Sequence, residues 1–559
     1  MKKLSSEDLR NIWKNFWENG EKDHKYLKYS SLIPDSKDKT VLFNTAGMQQ
    51  LVSYLLGKPH PLGNRLYNIQ KSLRTGDIDE VGDERHLTFF EMFGNWSLGD
   101  FFKKESLTWS VEFLNKEIGI SIEKIGATIF AGDETLGIGE DIEARKILNE
   151  IGIPNSRIKA IGMEDNFRGP AGELGPCGPC SEFFVDRGEE WGKNNWDMGE
   201  NDRFIEVWNN VFMEFYKNED GTFSKLKQKN VDTGMGLERL AMILQNKQTV
   251  FETDLFEFIM ISLQNFVGKK YAPFQKHENE FDQQEKNDTR HFRIIADHIR
   301  TAIFMIGDGV IASNDGRGYV LRRLIRRFYY SLISLNENIK LDDFINDLVN
   351  KVNQKYGTYY IEISNGVNNI ISSILNEIYQ FQKTINNGIR EFEKIVKEIK
   401  NSDNPNRNYL TGEEAFKLYD TYGLPVDMIE ELAFQTGFSE KGLNPVSFIE
   451  FEKAMEKARE KSRKSSKDMF KRGIDWAKYL DGISPTEFVG YENLELEGIK
   501  ILKDFEVNGQ RVIIFDKTPF YAESGGQTSD IGILEFDDNN VLNIYEVQNY
   551  SGVFLHFIK

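Results

Sequence analysis

Residues 70–102 read QKSLRTGDIDEVGDERHLTFFEMFGNWSLGDFF. The first extended run ends near Arg74, and a polar stretch follows. His86 then leads into LTFFEMFGNWSL, where apolar side chains recur with period two, as a half-buried strand requires. Two such runs joined by a charged loop make a hairpin that shows an arginine, a histidine and an aromatic face to one ligand. Adenine stacking on Phe90, with Arg74 on a phosphate, is chemically natural there. A buried hairpin with ordinary core phenylalanines accounts for most of Phe89, Phe93, Phe101 and Phe102, but not for the charges around the loop.

The flanking sequence extends this pattern. FIEVWNNVFMEFY (204–216) is a second run of half-apolar, period-two character. Ser5 and Asp8 have the spacing of a capping box, and Leu9, Ile12, Trp13, Phe16 and Trp17 recur at helical intervals behind it. VDTGMGLERLAMIL (231–244) is a strand-like lead, a Gly-x-Gly turn and an amphipathic helix bearing Leu237, Leu240, Ala241 and Leu244 on one side. Bare backbone at Gly234 and Gly236 permits close approach of a substrate. Glu238 and Arg239 stand at the helix start, where exposed N–H groups favour phosphate. The combination suits a magnesium-bound polyphosphate, and a packed turn before a core helix explains it as well. Strands not separated by crossover-length helices imply a mixed or antiparallel sheet with helices around it, an α+β architecture.

Texture divides the 559 residues into three regions. Residues 1–262 alternate strands, aromatics and Gly-rich turns. Residues 263–475 are mostly helical, with 276–289 expected to be a surface loop. Residues 476–559 are short β-like runs separated by turns, as in part of a small barrel or sandwich. The start, MKKLSSEDLRN, has no apolar stretch behind its lysines, so no secretory signal is expected. No run approaches the ~18 apolar residues of a spanning helix. Two cysteines exclude a disulfide framework, and a reducing cytoplasm is the expected setting.

The net charge of −18 argues against indiscriminate nucleic-acid binding. Its distribution is uneven, because residues 453–472 carry nine basic and three acidic side chains. A second basic patch holds Arg322, Arg323, Arg326 and Arg327; on a helix 322/326 and 323/327 stack one turn apart, so that four guanidiniums share a face. Either patch is a solvated helix face or a selective contact for a polyanion. Cys177 and Cys180 in GELGPCGPCSEFFVD form C-x-x-C. A redox pair lacks its βαβ context, and a zinc site lacks further cysteines or an H-x3–5-H pair. A tight Gly/Pro loop lining a pocket, with the thiols as small apolar groups, is the favoured third reading.

The hairpin LRTGD…RHLTFFEMFGNWSLGDFF and the turn VDTGMGLER resemble motifs two and three of class II aminoacyl-tRNA synthetases. In chain order, GPCGPCSE, IEVWNNVFMEF, SNDGRGYVLRRLIRR, LYDTYGLPVD and TPFYAESGGQ are similar to the alanyl-tRNA synthetase family, from LFNTAGMQQ (42–50) nearly to the end. One departure is the short loop after Arg74, which lacks the family's lysine and with it a second cationic contact.

The resemblance implies a class II sheet flanked by helices at 1–262, a helical tRNA-recognition domain at 263–475, and a partial β-rich editing-like domain at 476–559. It implies ATP and Mg2+ as cofactors, L-alanine as substrate and tRNA(Ala) as partner. Arg74 would hold the α-phosphate and the alanine carboxylate, Phe90 would stack under adenine, and Arg239 would cap its other face. Glu238 would help to hold magnesium, with His86 and Met92 bordering the nucleotide. Trp208, Asn209, Val211, Asp232 and Gly234 would form the amino-acid pocket, with Asp232 on the ammonium. Asn314 and Asp420 would read a G·U pair, while Arg322, Arg323, Arg326, Arg327 and the 453–472 segment grip phosphates. Zinc and editing are not expected of this chain, since the family's His and Cys ligands would follow its last residue; a separate polypeptide could supply them. Two rivals remain: a synthetase-like ATP- or tRNA-binding regulator without ligase activity, and a thiol oxidoreductase working through Cys177 and Cys180.

Overall fold

The computed structural model describes residues 3–35, 41–134, 137–169, 174–193, 196, 198, 203–273, 283–313, 316–401, 407–422, 424, 426–436, 449–455, 479–480, 483, 485–490, 493, 495–507, 510–522, 529–537, 540–550 and 553–558. Asn314 and residues 456–472 of the basic run lie outside the described residues. Contacts divide the chain into two units, Met1–Lys383 and Thr384–Lys559.

The first unit is built on a mixed sheet. Its strands are β1 (Lys25–Tyr26), β2 (Arg65–Leu73), β3 (Phe89–Leu98), β4 (Ile125–Phe130), β5 (Ile158–Ile161), β6 (Phe167–Arg168), β7 (Gly175–Asp186), β8 (Phe204–Lys217) and β9 (Phe223–Gly236). Their order is β1-β2-β3-β9-β8-β7-β4-β5, with β6 on β7. The centre is antiparallel, as expected. The rims differ: β1 runs parallel to β2 and β4 parallel to β5. The expected hairpin is β2–β3, paired from Arg65↔Ser97 to Leu73↔Phe89.

Helix α1 (Ser6–Glu18) starts at the predicted capping box. It buries Leu9, Trp13, Phe16 and Trp17 against one face of the sheet, where Trp13 stacks on Phe93 at 5.0 Å and meets Trp208 at 5.3 Å. Helix α2 (Leu237–Leu244) follows β9 without a break. Four longer helices come next, α3 (Gln283–Gly307), α4 (Gly316–Leu335), α5 (Leu341–Tyr356) and α6 (Ile361–Lys400). The expected loop over 276–289 is corrected from residue 283 onward. Gln, Glu and Lys there are good helix formers on an exposed turn, so polarity marks a solvated helix end and not a break. Helix α3 docks on β3 through Phe304, stacked on Phe89 at 4.0 Å. Among the described residues, no helix is long and apolar enough to cross a membrane.

In the second unit five of the described strands, Ile501–Val507, Gln510–Phe515, Val553–Ile558, Asn540–Tyr550 and Gly532–Asp537, pair in that order as an open antiparallel sheet rather than a closed barrel. A two-stranded sheet pairs Glu487–Phe488 with Lys517–Thr518. The unbroken apolar run Val512–Phe515 is explained by burial on both faces: Ile513 and Phe515 join one core cluster, Val512 and Ile514 another. Asp420 is exposed at the last residue of a helix, Gly412–Asp420.

Candidate active site

Side chains of β3, β9 and β8 alternate between the two faces of the sheet. On β3, Phe90 and Met92 face one way, while Phe89, Glu91 and Phe93 are fully buried on the other. Strand register pairs Asn209 with Gly234 and Val211 with Asp232, and sets Trp96 across from Asp232 on the other side of β9. The result is a cavity of about 420 Å³ lined by Arg74, His86, Phe90, Met92, Asn209, Val211, Asp232, Gly234, Glu238 and Arg239, ten residues singled out from the sequence.

Arg74 follows β2 in extended conformation, and its guanidinium lies 5.0 Å from the centre of the Phe90 ring. Burial holds its pKa below the usual arginine value; the carboxylates of Asp77 and Glu206 oppose this, the charges of Arg239 and Arg168 add to it, and a bound anion would relieve it further. Arg239 is 3.2 Å from Glu206, which also lines the cavity. His86 is bonded to Asp83, and that hydrogen bond raises its pKa and favours the charged ring.

At the floor, Trp96 Nε1–H donates to Asp232 Oδ1 at 2.6 Å. Burial nonetheless pushes the Asp232 carboxyl up to about 6, against the lowering effect of that hydrogen bond. Side chains at Gly47 or Gly94 would collide with the Trp96 ring, so both glycines keep it in place. A Cβ at Gly234 would lie 2.9 Å from Met92 Sδ, which makes the floor narrow. Asn209 donates from Nδ2 to Glu182 Oε1 at 2.8 Å, and its buried Oδ1 has no hydrogen-bond partner among the described residues. Arg168 donates to the same Glu182 oxygen at 2.8 Å.

Other expected residues lie elsewhere. Trp208 is fully buried on the opposite face, against Trp13 and Phe113, and does not line the cavity. The reason is parity: Asn209 and Val211 face the cavity, so Trp208 between Val207 and Asn209 points away. Glu238 borders the cavity, but its carboxylate is nearly sealed, accepting from Arg300 Nη1 at 3.0 Å and from the Glu91 amide. Burial raises its pKa, although Arg300 opposes this.

The four arginines of α4 do not share one target. Arg322 and Arg326 both bind Glu377, at 3.2 and 2.9 Å, whereas Arg323 binds Asp79 at 2.6 Å and Arg327 the Ile78 carbonyl. Neighbouring residues are 100° apart on a helix, so two i,i+4 rows reach two different elements. The GPCGPC segment is also corrected. It is the start of β7 rather than a loop, and neither thiol lines the cavity. Both thiols are free and buried, in different core clusters, and burial raises both pKa values, that of Cys177 to about 12. Buried thiols held in the protonated form suit packing and not redox exchange.

Several lining residues were not anticipated: Thr45, Ala46 and Met48 beneath the floor, and Asp77, Arg85, Arg168 and Glu206 around the rim. Strict alternation would put Glu206 with Trp208 on the other face; the register shift where β7 passes from Phe183 to Phe184 breaks the pattern there, and Glu206 lines the cavity. Arg168 reaches the cavity only through the pairing of β6 with β7, which no local pattern announces.

A guanidinium-rimmed cavity with an aromatic wall and a carboxylate floor, on a mainly antiparallel sheet, defines a class of fold and site. The family model described as tRNA synthetases class II (A) matches residues 8–559, and the chain belongs to that family. It is 40% identical over 573 residues to the alanine–tRNA ligase of Thermotoga maritima, covering 100% of this chain and 62% of that protein. It is 44% identical over 479 residues to the alanine–tRNA ligase of Treponema denticola, covering 85% of this chain and 75% of that one. For the alanine–tRNA ligase of Geobacillus thermodenitrificans the identity is 39%, over 100% of this chain and 61% of the relative. The chain thus spans about three fifths of the relatives that it matches from end to end.

Proposed function

We propose that this chain is an ATP-dependent alanine–tRNA ligase. The carboxylate of L-alanine attacks the α-phosphorus of ATP, giving alanyl-adenylate and pyrophosphate; a ribose hydroxyl at the 3′ end of tRNA(Ala) then takes the alanyl group. The observation that carries the reading is that Arg74, Arg239 and Asp232 open on one cavity whose wall is Phe90. The whole-length relatives named above support it.

The residues fit these roles on elementary chemistry. Arg74, poorly solvated, would bind the α-phosphate and neutralise charge that builds there in the transition state. Phe90 and Arg239 would hold the adenine between them, with His86 and Met92 at its edge. The alanine ammonium would pair with Asp232, supplying the counter-charge that carboxylate lacks, while Asn209 Oδ1 offers a second acceptor. Gly234, where a Cβ would already lie 2.9 Å from Met92 Sδ, and Val211 line a floor that suits a side chain as small as a methyl group. Such a pocket cannot strongly reject glycine or serine.

Mg2+ commonly uses one or two carboxylates together with substrate phosphates. Glu206, part-exposed at the rim, suits that role; Glu238, already bound by Arg300 and the Glu91 amide, suits orienting the site. Magnesium would neutralise the leaving pyrophosphate. The aminoacylation role belongs in this reading to residues 1–262, tRNA recognition to 263–475 with Asn314 and Asp420 as base readers, and an editing-like role to 476–559. The setting is cytoplasmic, in keeping with two free thiols.

Alanine-dependent ATP–pyrophosphate exchange tests the proposal. Exchange should be present with alanine and fall by about a thousandfold in Arg74→Ala, the upper range for loss of one transition-state donor. A folded protein without alanine-dependent exchange contradicts it.

A further inference from the structure

The loop between β2 and β3 brings Asp77, Arg85, His86 and Leu87 to the cavity, yet it is held by two helices outside the sheet. On α3, Arg293, Asp297 and Arg300 fall at i, i+4 and i+7 and share a face. Arg293 Nη1 donates to the Gly82 carbonyl at 3.2 Å, Asp297 Oδ1 accepts from the Thr88 amide at 2.9 Å, and Arg300 Nη2 donates to the Phe89 carbonyl at 2.6 Å. On α4, one turn apart, Arg323 Nη2 donates to Asp79 Oδ1 at 2.6 Å and Arg327 Nη1 to the Ile78 carbonyl. Ile78 and Val81 are buried beneath these contacts. The loop is therefore docked before any ligand arrives.

We propose that Arg323 and Arg327 are positioning residues for the nucleotide: they fix the loop in the form that receives ATP, and so act on ATP before any RNA is present. The idea rests on the ligase reading for the identity of the nucleotide. A loop that must be ordered upon binding draws its entropic cost from the ligand's affinity, and a docked one does not. Residues that only grip RNA phosphates would leave ATP binding untouched, so the two roles separate cleanly in experiments without tRNA. Arg323 is the better handle, because its partner Asp79 is largely exposed and neither substitution opens the core.

The test is Mg–ATP titration calorimetry on the full chain without tRNA, with alanine-dependent exchange measured in parallel. Arg323→Ala and Asp79→Ala should each weaken ATP by about fivefold, the upper end for a part-exposed ion pair. The double variant should be no weaker than Asp79→Ala alone, since Asp79 pairs with both Arg323 and, at 3.7 Å, Arg327. Arg323→Lys should recover most of the affinity, and kcat for exchange at saturating ATP should stay within about twofold of wild type. Unchanged affinity in both single variants, or losses that simply add, overturns the proposal. Wild-type protein that binds ATP without alanine-dependent exchange defeats the ligase reading alone, and the affinities still decide the tether. Wild-type protein that does not bind ATP overturns both.

Discussion

The two faces of β3, β9 and β8 differ in how completely buried charge is paired. Behind the sheet, Arg10 is sealed against Glu91, whose carboxylate also accepts from Tyr360 Oη at 2.7 Å, and Lys71 lies between Asp308 and Glu362. Each of these charges meets an opposite one. On the cavity face the pairing is less complete: among the described residues Asp232 accepts from the Trp96 indole without a cation beside it, and burial holds Arg74 below its usual pKa although Asp77 and Glu206 lie near it along with Arg239 and Arg168. Charge left uncompensated is unfavourable in the empty protein and becomes favourable when a zwitterionic amino acid and a phosphate bring the missing partners. The contrast identifies the ligand side more sharply than any single residue does.

Substituting one charged residue on each face should separate the two. Asp232→Asn keeps the Trp96 bond and removes the ammonium's partner. Exchange kcat/KM for alanine should fall by about a hundredfold or more, with ATP affinity retained. The fold should not suffer. The folded pKa of about 6 lies above the ordinary carboxylate value, so ionising Asp232 penalises the native state as pH rises through that interval, and the penalty persists above it. Asn removes it, so thermal unfolding at pH 7 should occur at an equal or higher temperature than in wild type. For the same reason the KM for alanine in the wild type should rise as pH falls below about 6, where the carboxyl is protonated; a flat profile from pH 5 to 7.5 would remove Asp232 from the ammonium site.

Behind the sheet the expected order is reversed. Glu91→Gln strands the Arg10 guanidinium in the core and should cost about 3–5 kcal/mol in denaturant unfolding, the usual penalty for breaking a buried ion pair. The smallest functional effect is expected from Trp208→Phe. It should lower stability by about 1–3 kcal/mol through lost packing around Trp13 and Phe113, while the alanine KM changes by less than about twofold. A large rise in that KM would return Trp208 to the pocket.

These contrasts also explain how much could be read from the sequence. The β2–β3 hairpin and the β9–α2 turn were legible because their information is local: period two, a charged loop and a glycine pair carry the whole arrangement. Arg74, His86, Phe90, Gly234, Glu238 and Arg239 stood out in those segments by themselves, whereas Met92, Asn209, Val211 and Asp232 came from the family resemblance; all ten line the cavity. Trp208 illustrates a limit of resemblance, since a motif says which residues are near a site and only parity says which face they occupy. Arg168 and Glu182 escaped because their approach depends on strands β6, β7 and β8 meeting in space. The arginines of α4 were legible as a cluster and not as a clamp, because their partners Asp79 and Glu377 are remote in sequence. The expected loop at 276–289 failed from residue 283 onward for a simpler reason: polar residues with high helix propensity read alike in loops and on solvated helix ends.

A crystal structure of the chain with a non-hydrolysable alanyl-adenylate analogue puts these assignments side by side. One ligand should lie in one cavity, its phosphate on Arg74, its adenine between Phe90 and Arg239, and its ammonium within hydrogen-bond distance of Asp232. An analogue bound elsewhere, or one that reaches Arg74 while its ammonium points away from Asp232, would contradict them.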